Sequence, residues 1–332
     1  MGLLRVPQSG ADRPFLTREA YARLAKAASS AIATIFVASV IIFGGLSAAP
    51  GDPALALAGN HPTKAAIAAI RHSLGLDRSP PDRYWRWLTG IFHGNLGVST
   101  QFRESVNVLL VGKIATTFLL VAFAFVIVIF FGIGVGLLPS LAPRLNSLVT
   151  TVLSIGIALP SFIAALILIQ IFSVQLGWLP VLGTTNGSFL SNIWHLTLPA
   201  FALAISWCAY VGQITRASIQ DAEGAEHVET ARARGLRPLS VFRRHVLRNA
   251  ALPIATVSAV TVAGLVTGTI VIETVFGING IGQLLVQSVL AKDYNVVLAV
   301  SMIFVCTFVF ATTLIDFLQV ALDPRVRGKT SV

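Results

Sequence analysis

The feature that most constrains this chain is a set of six apolar runs, each about long enough to cross a bilayer. They are Ala27–Ala48, Ile114–Leu138, Leu148–Leu176, Leu198–Ile214, Leu252–Ile272 and Val296–Leu318. About 20 apolar residues, rising 1.5 Å each, cross a hydrocarbon core of about 30 Å. Lipid offers the backbone no hydrogen-bond partners, so each run must satisfy its own amides and carbonyls. The runs therefore predict an all-α membrane protein with six transmembrane helices. Pro160 lies inside the third run, which predicts a kink whose freed carbonyl a neighbouring helix satisfies. A cleavable leader ending at "SAA" (47–49) fits less well. The polar segment before the first run is long for a leader, and five more runs follow.

The rest of the composition agrees. Of 332 residues, 55% are hydrophobic and 11% charged, whereas a soluble domain carries about 25% charged residues. Mean hydropathy is +0.79. A net charge of +10 would suggest nucleic acid in a soluble chain. Here the basic residues sit between apolar runs, where they set orientation instead. With the N-terminus inside, the inner segments 1–26, 139–147, 215–251 and 319–332 hold 16 of the 24 lysines and arginines. The short outer segments 177–197 and 273–295 hold only Lys292. Both termini are thus expected in the cytoplasm, in a multi-pass membrane protein with the bilayer as its solvent and no nucleic-acid role.

The long outer segment 49–113 mixes aromatic and charged residues with prolines and glycines. It reads either as a small helical cap or as an interfacial anchor with Tyr84, Trp85 and Trp87 at headgroup level. Cys208 and Cys306 both fall in apolar runs and read as small core residues.

Several chemistries find no residues to carry them. "RGKT" (327–330) lacks the upstream glycine of a phosphate-binding loop, since Asp323 stands there. The six histidines show no metal-ligand spacing, and no nucleophile–base set is recognisable. No catalytic, metal or cofactor site is therefore expected in this chain. Lys113, Arg216, Glu273 and Asp316 lie near run ends, so the spans lack the mid-membrane charges of an ion-coupled carrier. Gly132/Gly136 and Gly264/Gly268 form GxxxG pairs, which predict close helix packing. Thr256, Ser258, Thr261, Thr267 and Thr269 in the fifth run are candidates to line a polar pathway.

The segment 215–251 interrupts this apolar pattern. "GAEHVETARARGLRPLSVFRRHVLRNAALP" reads as two short helices. Val228, Ala231 and Gly235 share one face of the first, a small-residue surface that another backbone can approach. Arg232 and Arg234 point away from it. Gly235 is placed to end that helix and Pro238 to start the next. In the second, Leu239, Phe242 and Val246 form an apolar stripe beside Arg243, Arg244 and Arg248. Such ordered punctuation suggests a docking element.

This pattern resembles the cytoplasmic loop of binding-protein-dependent ABC importer permeases, whose motif is Glu-Ala-Ala, three residues, then Gly, with Leu-Pro further on. Here it reads Glu229-Thr230-Ala231, Gly235 and Leu252-Pro253, with Thr230 in place of the usual Ala. "PGDP" (50–53), "LGLD", "GNLGVS", "ETVFGINGIGQLLVQSVLAKDYNVV" (273–297) and "LDPRVR" (322–327) point to the dipeptide/oligopeptide/nickel subfamily, and to the first of its two permeases. Asn279 stands where relatives often have Pro. The resemblance implies a type I importer permease that pairs with a second, similar permease. Two ATP-binding subunits would hold ATP and Mg, and an extracytoplasmic binding protein would deliver cargo. The stretch from Val228 to Gly235, with Glu229, Thr230, Arg232 and Arg234, would be the coupling helix seated on an ATPase. The expected function is ATP-driven import of di- or oligopeptides, with nickel or glutathione as alternative cargo. A stand-alone channel or secondary carrier fits the charge-poor spans and the punctuated loop less well.

Overall fold

Helices make up most of the described residues of this chain. The structure, a computed structural model, describes residues 18–51, 54–55, 58, 63–183 and 188–322. Among the described residues, β pairing is confined to one isolated bridge between Val98 and Ser105. Residues 1–17, the Asp-Pro of "PGDP", "RGKT" and all of "LDPRVR" after Leu322 lie outside the described residues.

The helices in chain order are α1 (Arg18–Ala48), α2 (Lys64–Ser73), α3 (Pro80–Phe92), α4 (Val106–Leu110), α5 (Lys113–Ile127), α6 (Ile133–Leu141), α7 (Asn146–Ala158), α8 (Ser161–Leu168), α9 (Phe189–Glu223), α10 (Glu226–Ala233), α11 (Pro238–Val241), α12 (Leu247–Val275), α13 (Ile281–Leu290) and α14 (Tyr294–Leu322). π-helical turns join α5 to α6 and α11 to α12, and another extends α8 to Gln175.

Among the described residues, five helical runs are long and apolar enough to cross a membrane: Ala25–Ala48, Val106–Leu141, Phe189–Glu223, Pro238–Val275 and Tyr294–Ile315. The third run of the sequence takes a different form. It is a broken pair, Pro143–Ala158 and Ser161–Gln175, bent by 102°. Pro160 therefore breaks the helix where the sequence predicted a kink. Proline disfavours helical geometry in the residue before it, and Leu159 is extended at ψ 112°. A different carbonyl from the one a kink would free is satisfied across helices: Ser206 Oγ on α9 donates to Leu159 O, beside the break, at 2.6 Å.

Helices also outrun their apolar stretches. α9 has 35 residues, between an N-cap at Ser188, whose side chain accepts from Ser191 N, and a C-cap at Gly224. Hydropathy marks what crosses lipid, whereas caps decide where a helix ends. For the same reason the segment 215–251 holds only one free-standing helix, α10. The second expected helix, starting at Pro238, runs on into the fifth span.

α9 is the hub. Leu196, Leu203 and Val211 on it join Leu120 and Val128 from the second span, and Leu265 and Ile272 from α12, in the main core. Lipid is as apolar as leucine, so close backbone approach and van der Waals contact must hold such helices together. Both GxxxG pairs supply that approach. A Cβ on Gly136 would lie 2.6 Å from Gly212 O, and one on Gly264 would lie 1.8 Å from the Trp207 ring. Packing is thus what these glycines do.

Among the outer-segment helices, α2 and α3 form a cap over the end of α1. Tyr84 and Trp87 sit against Phe43 at 5.4 and 6.0 Å between ring centres, while Trp85 is left exposed. Of the two cysteines, Cys208 is half-buried but Cys306 is exposed, so only the first packs as expected. A position on a helix facing lipid has the same apolar signature as one facing protein, and periodicity cannot separate them.

Candidate functional site

Contacts between segments sort the bundle into two ends. At one end Gln220 reaches Asn146 and Asn249 reaches His227. At the other end Ser99 reaches Asp293, Lys113 reaches Asn279, and Gly183 N–H donates to Phe276 O. Both ends carry built features.

At the 226–246 end, α10 is closed by a Schellman turn. Gly235 N–H donates to Arg232 O at 2.9 Å and Leu236 N–H to Ala231 O at 3.4 Å. Gly235 sits at φ +75°, the left-handed conformation that glycine adopts without a Cβ penalty. Pro238 then occupies the first helical position of α11, as its fixed φ favours. The punctuation read from the sequence is what the backbone does.

The small-residue face requires a correction. Val228 and Ala231 are buried, packed with Ile219, Ala222, Val241, Val246, Ala250 and Ile254 of this same chain. They clamp α10 onto α9 and the start of the fifth span and are not open to another backbone. A helix as short as α10 needs its own chain to hold it. What remains exposed on α10 and its closing turn is Glu229, Thr230, Arg232, Arg234 and Gly235. Thr230 Oγ1 donates to Glu226 O at 2.9 Å, so its hydroxyl is satisfied within the helix and replaces a methyl at little cost. Of the apolar stripe on the next helix, Val246 is buried, Phe242 half-buried and Leu239 exposed, beside exposed Arg243, Arg244 and Arg248. Leu141, Arg232, Leu236, Pro238, Leu239 and Phe242 line a groove of about 490 Å³ next to α10.

The pathway candidates divide. Thr261 and Thr269 are buried inside this chain and return their hydroxyls to Val257 O and Val266 O. They are core residues, because each falls on the side of α12 that packs within the bundle. Thr256 and Ser258 are half-buried. Thr267 is exposed, on the side of α12 that also carries Val260, Val271 and Thr274.

The opposite end holds a site the sequence reading passed over. Glu273 is fully buried. It accepts from Thr117 Oγ1 at 2.5 Å, Gly282 N–H at 2.7 Å and Gln283 N–H at 3.0 Å. Thr117 Oγ1 in turn accepts from Ile281 N–H at 3.0 Å. Two side chains thus satisfy the first three amides of α13, where the helix dipole also favours a carboxylate. The glycines of "GING IG" admit this: a Cβ at Gly280 would lie 2.4 Å from the Glu273 carboxyl. A carboxylate followed by a Gly-x-Gly helix start was the available signal. Asn279 is held by Lys113, so the position that departs from the usual proline has a polar contact of its own. Nearby, Asp293 is also fully buried, accepting from Ser99 Oγ and from Gln101 N–H at 3.1 Å.

Among the described residues, no three His, Cys, Asp or Glu side chains converge as metal ligands would.

Comparison with known proteins bears on these features. Residues 128–328 match the family described as binding-protein-dependent transport system inner membrane component. Residues 21–120 match the N-terminal region of such membrane components. The chain is 34% identical over 301 residues to the glutathione transport system permease protein GsiC of Pectobacterium atrosepticum, covering 90% of this chain and 96% of that one. It is 33% identical to the protein of that name from Escherichia coli K12, with the same coverage. A crystal structure of an amino acid ABC transporter with histidines superposes with a TM-score of 0.52 at 20% identity, over 64% of this chain and 94% of that chain, and so shares the fold. ATP hydrolysis in such systems lies in subunits other than the permease. The chain belongs to the inner-membrane component family of binding-protein-dependent transport systems, and is a multi-pass inner-membrane permease subunit of a bacterial ABC importer.

Proposed function

We propose that this permease imports short peptides, and that α10 is the lever by which an ATP-binding subunit moves it. The observation that carries the reading is the construction of α10. Its inner face is locked to this chain through Val228 and Ala231, while Glu229, Arg232 and Arg234 face outward beside an open groove. An element rigid with two spans and charged on its free side can transmit a push from a docked partner. Two ATPase subunits, separate or fused, would bind ATP and Mg. A second permease would complete the pathway, and an extracytoplasmic protein would deliver cargo. Nucleotide-driven closure would then bias the permease pair between two states.

Six spans with both termini in the cytoplasm fit this reading. The bent pair starts near Asn146 at the 226–246 end and leads to Gly183 at the other, which supports reading it as a sixth crossing. Arg232, Arg234, Arg237, Arg243, Arg244 and Arg248 all cluster at the end assigned to the cytoplasm. On the pathway, Thr256, Ser258 and Thr267 are the candidates that remain. Glutathione, itself a short peptide, is the specific alternative, favoured by the name of the relatives; nickel is the other alternative.

The test replaces Glu229 by Arg and Gly235 by Glu. Uptake of labelled dipeptide, tripeptide or glutathione should fall by about tenfold or more, with insertion unchanged. Normal uptake and normal recovery of the ATPase with both changes would refute the docking role. Uptake of none of these cargoes by the unaltered transporter would refute the peptide assignment alone.

A further inference from the structure

A pocket of about 330 Å³ opens where the ends of α1 and α14 meet the α2–α3 cap, at the end of the bundle opposite α10. That size lies at the lower end of small-ligand sites. Its walls divide by polarity. Phe43, Leu46 and Leu298, from the two spans, are apolar, whereas α3 and the turn before it bring Arg78, Arg83 and Arg86.

The charges do not cancel. Arg78 and Arg86 share a single carboxylate, Asp82, at 3.6 and 3.4 Å. Among the described residues no carboxylate pairs with Arg83, whose guanidinium lies 5.8 Å over the Phe43 ring. Asp77 is engaged by His72 Nδ1 at 2.8 Å. Three guanidiniums thus face one bridging carboxylate. Arginine forks suit a phosphate oxyanion.

The setting distinguishes a lipid phosphate from a soluble one. Of the five unbroken spans, α1 is the least embedded in protein. Phe36, Val37, Val40 and Ile41 on it are exposed, and its last turns lead into the pocket through Phe43 and Leu46. On α3, Trp85 and Phe92 are also exposed, seven residues apart on one face, as expected of a helix lying at headgroup level. A phosphate bound by the arginines would have its acyl chains against an unpartnered apolar surface. We propose that this pocket binds the phosphate of an anionic phospholipid headgroup in the leaflet on that side, tying the α2–α3 cap to the membrane.

The test uses the full chain, purified with the subunits it assembles with and placed in nanodiscs of phosphatidylcholine with a minor fraction of phosphatidylglycerol. Lipid retained through re-extraction in detergent is quantified by mass spectrometry. Phosphatidylglycerol should be enriched over phosphatidylcholine by about tenfold. The Arg83→Gln/Arg86→Gln variant should lose that enrichment. Arg103→Gln, outside the pocket, should leave it unchanged, and equal thermal unfolding of all variants checks that the fold is kept. Equal enrichment in wild type and the double variant overturns the proposal. So does displacement of the lipid by an equal concentration of inorganic phosphate, which would make the site one for a free anion. So does loss of binding-protein association with lipid retention unchanged, which would make the arginines a protein-docking surface.

Discussion

Thr117 Oγ1 donates to Glu273 Oε1 across 2.5 Å, joining the first turns of α5 to the last turn of α12. The same two side chains take the three leading amides of α13. One small polar knot therefore fixes the segment that links the fifth and sixth spans. Glu273→Ala leaves two buried N–H groups without acceptors, a cost of about 1–3 kcal/mol each. Glu273→Gln should be milder, because the amide oxygen still accepts. Thermal unfolding in detergent should show both losses. Glu273→Gln and Thr117→Val should be non-additive by about 0.5–3 kcal/mol. Strict additivity of the two would mean that they act independently.

Glycines in this fold differ by what lies opposite them. A Cβ at Gly264 would strike the Trp207 ring, whereas one at Gly134 would meet nothing within 4 Å. Gly264→Ala should lower stability by about 1–3 kcal/mol through overpacking. Gly134→Ala should be neutral or slightly stabilising through helix propensity. Unfolding midpoints of the two variants measured side by side check this; equal midpoints would contradict the packing of α12 on α9.

Val228 is buried against its own chain. Val228→Ala should therefore destabilise the isolated permease by about 1–2 kcal/mol, without any ATPase present. Arg232→Ala, on the exposed face, should leave that stability within about 0.5 kcal/mol and act only on the assembled transporter. An unaltered midpoint for Val228→Ala would restore the view that this face is open to a partner.

Thr267 and Thr261 lie on opposite sides of α12, one exposed and one buried. In a background with Cys208 and Cys306 replaced by alanine, Thr267→Cys should react with a small maleimide in the isolated permease and be protected in the assembled one. Thr261→Cys should stay unreactive in both. Rapid labelling of Thr261→Cys would show that this side of α12 opens to solvent.

The break in the third run is tied to α9 by a cross-helix bond, Ser206 Oγ to Leu159 O. Ser206→Ala should cost about 1–3 kcal/mol by orphaning that carbonyl. Ser206→Thr, which keeps the hydroxyl, should recover most of it; if both variants unfold together with wild type, the bond contributes nothing.

Much of this protein could be read directly from its residues. Long apolar runs dictate spanning helices because lipid cannot hydrogen-bond the backbone. Gly235 and Pro238 mark the end of one helix and the start of the next because each has a distinctive φ preference. Both GxxxG pairs announced close packing, and the structure places both against α9. The order of short motifs pointed to the family. These are local properties, carried by neighbours in the chain.

Other features depended on which distant residues meet. Val228 and Ala231 formed a small-residue face in the sequence, but only the tertiary fold made that face inward. Thr261 and Thr267 have the same chemistry and lie six residues apart, and packing alone made one core and the other surface. Glu273 read as a charge near a span end until Thr117, 156 positions away, and the start of α13 closed around it. A sequence fixes what each residue can bond with; the fold decides which partner is within reach, because hydrogen bonds and packing act over a few ångströms and the chain brings remote residues to that distance only once it is folded.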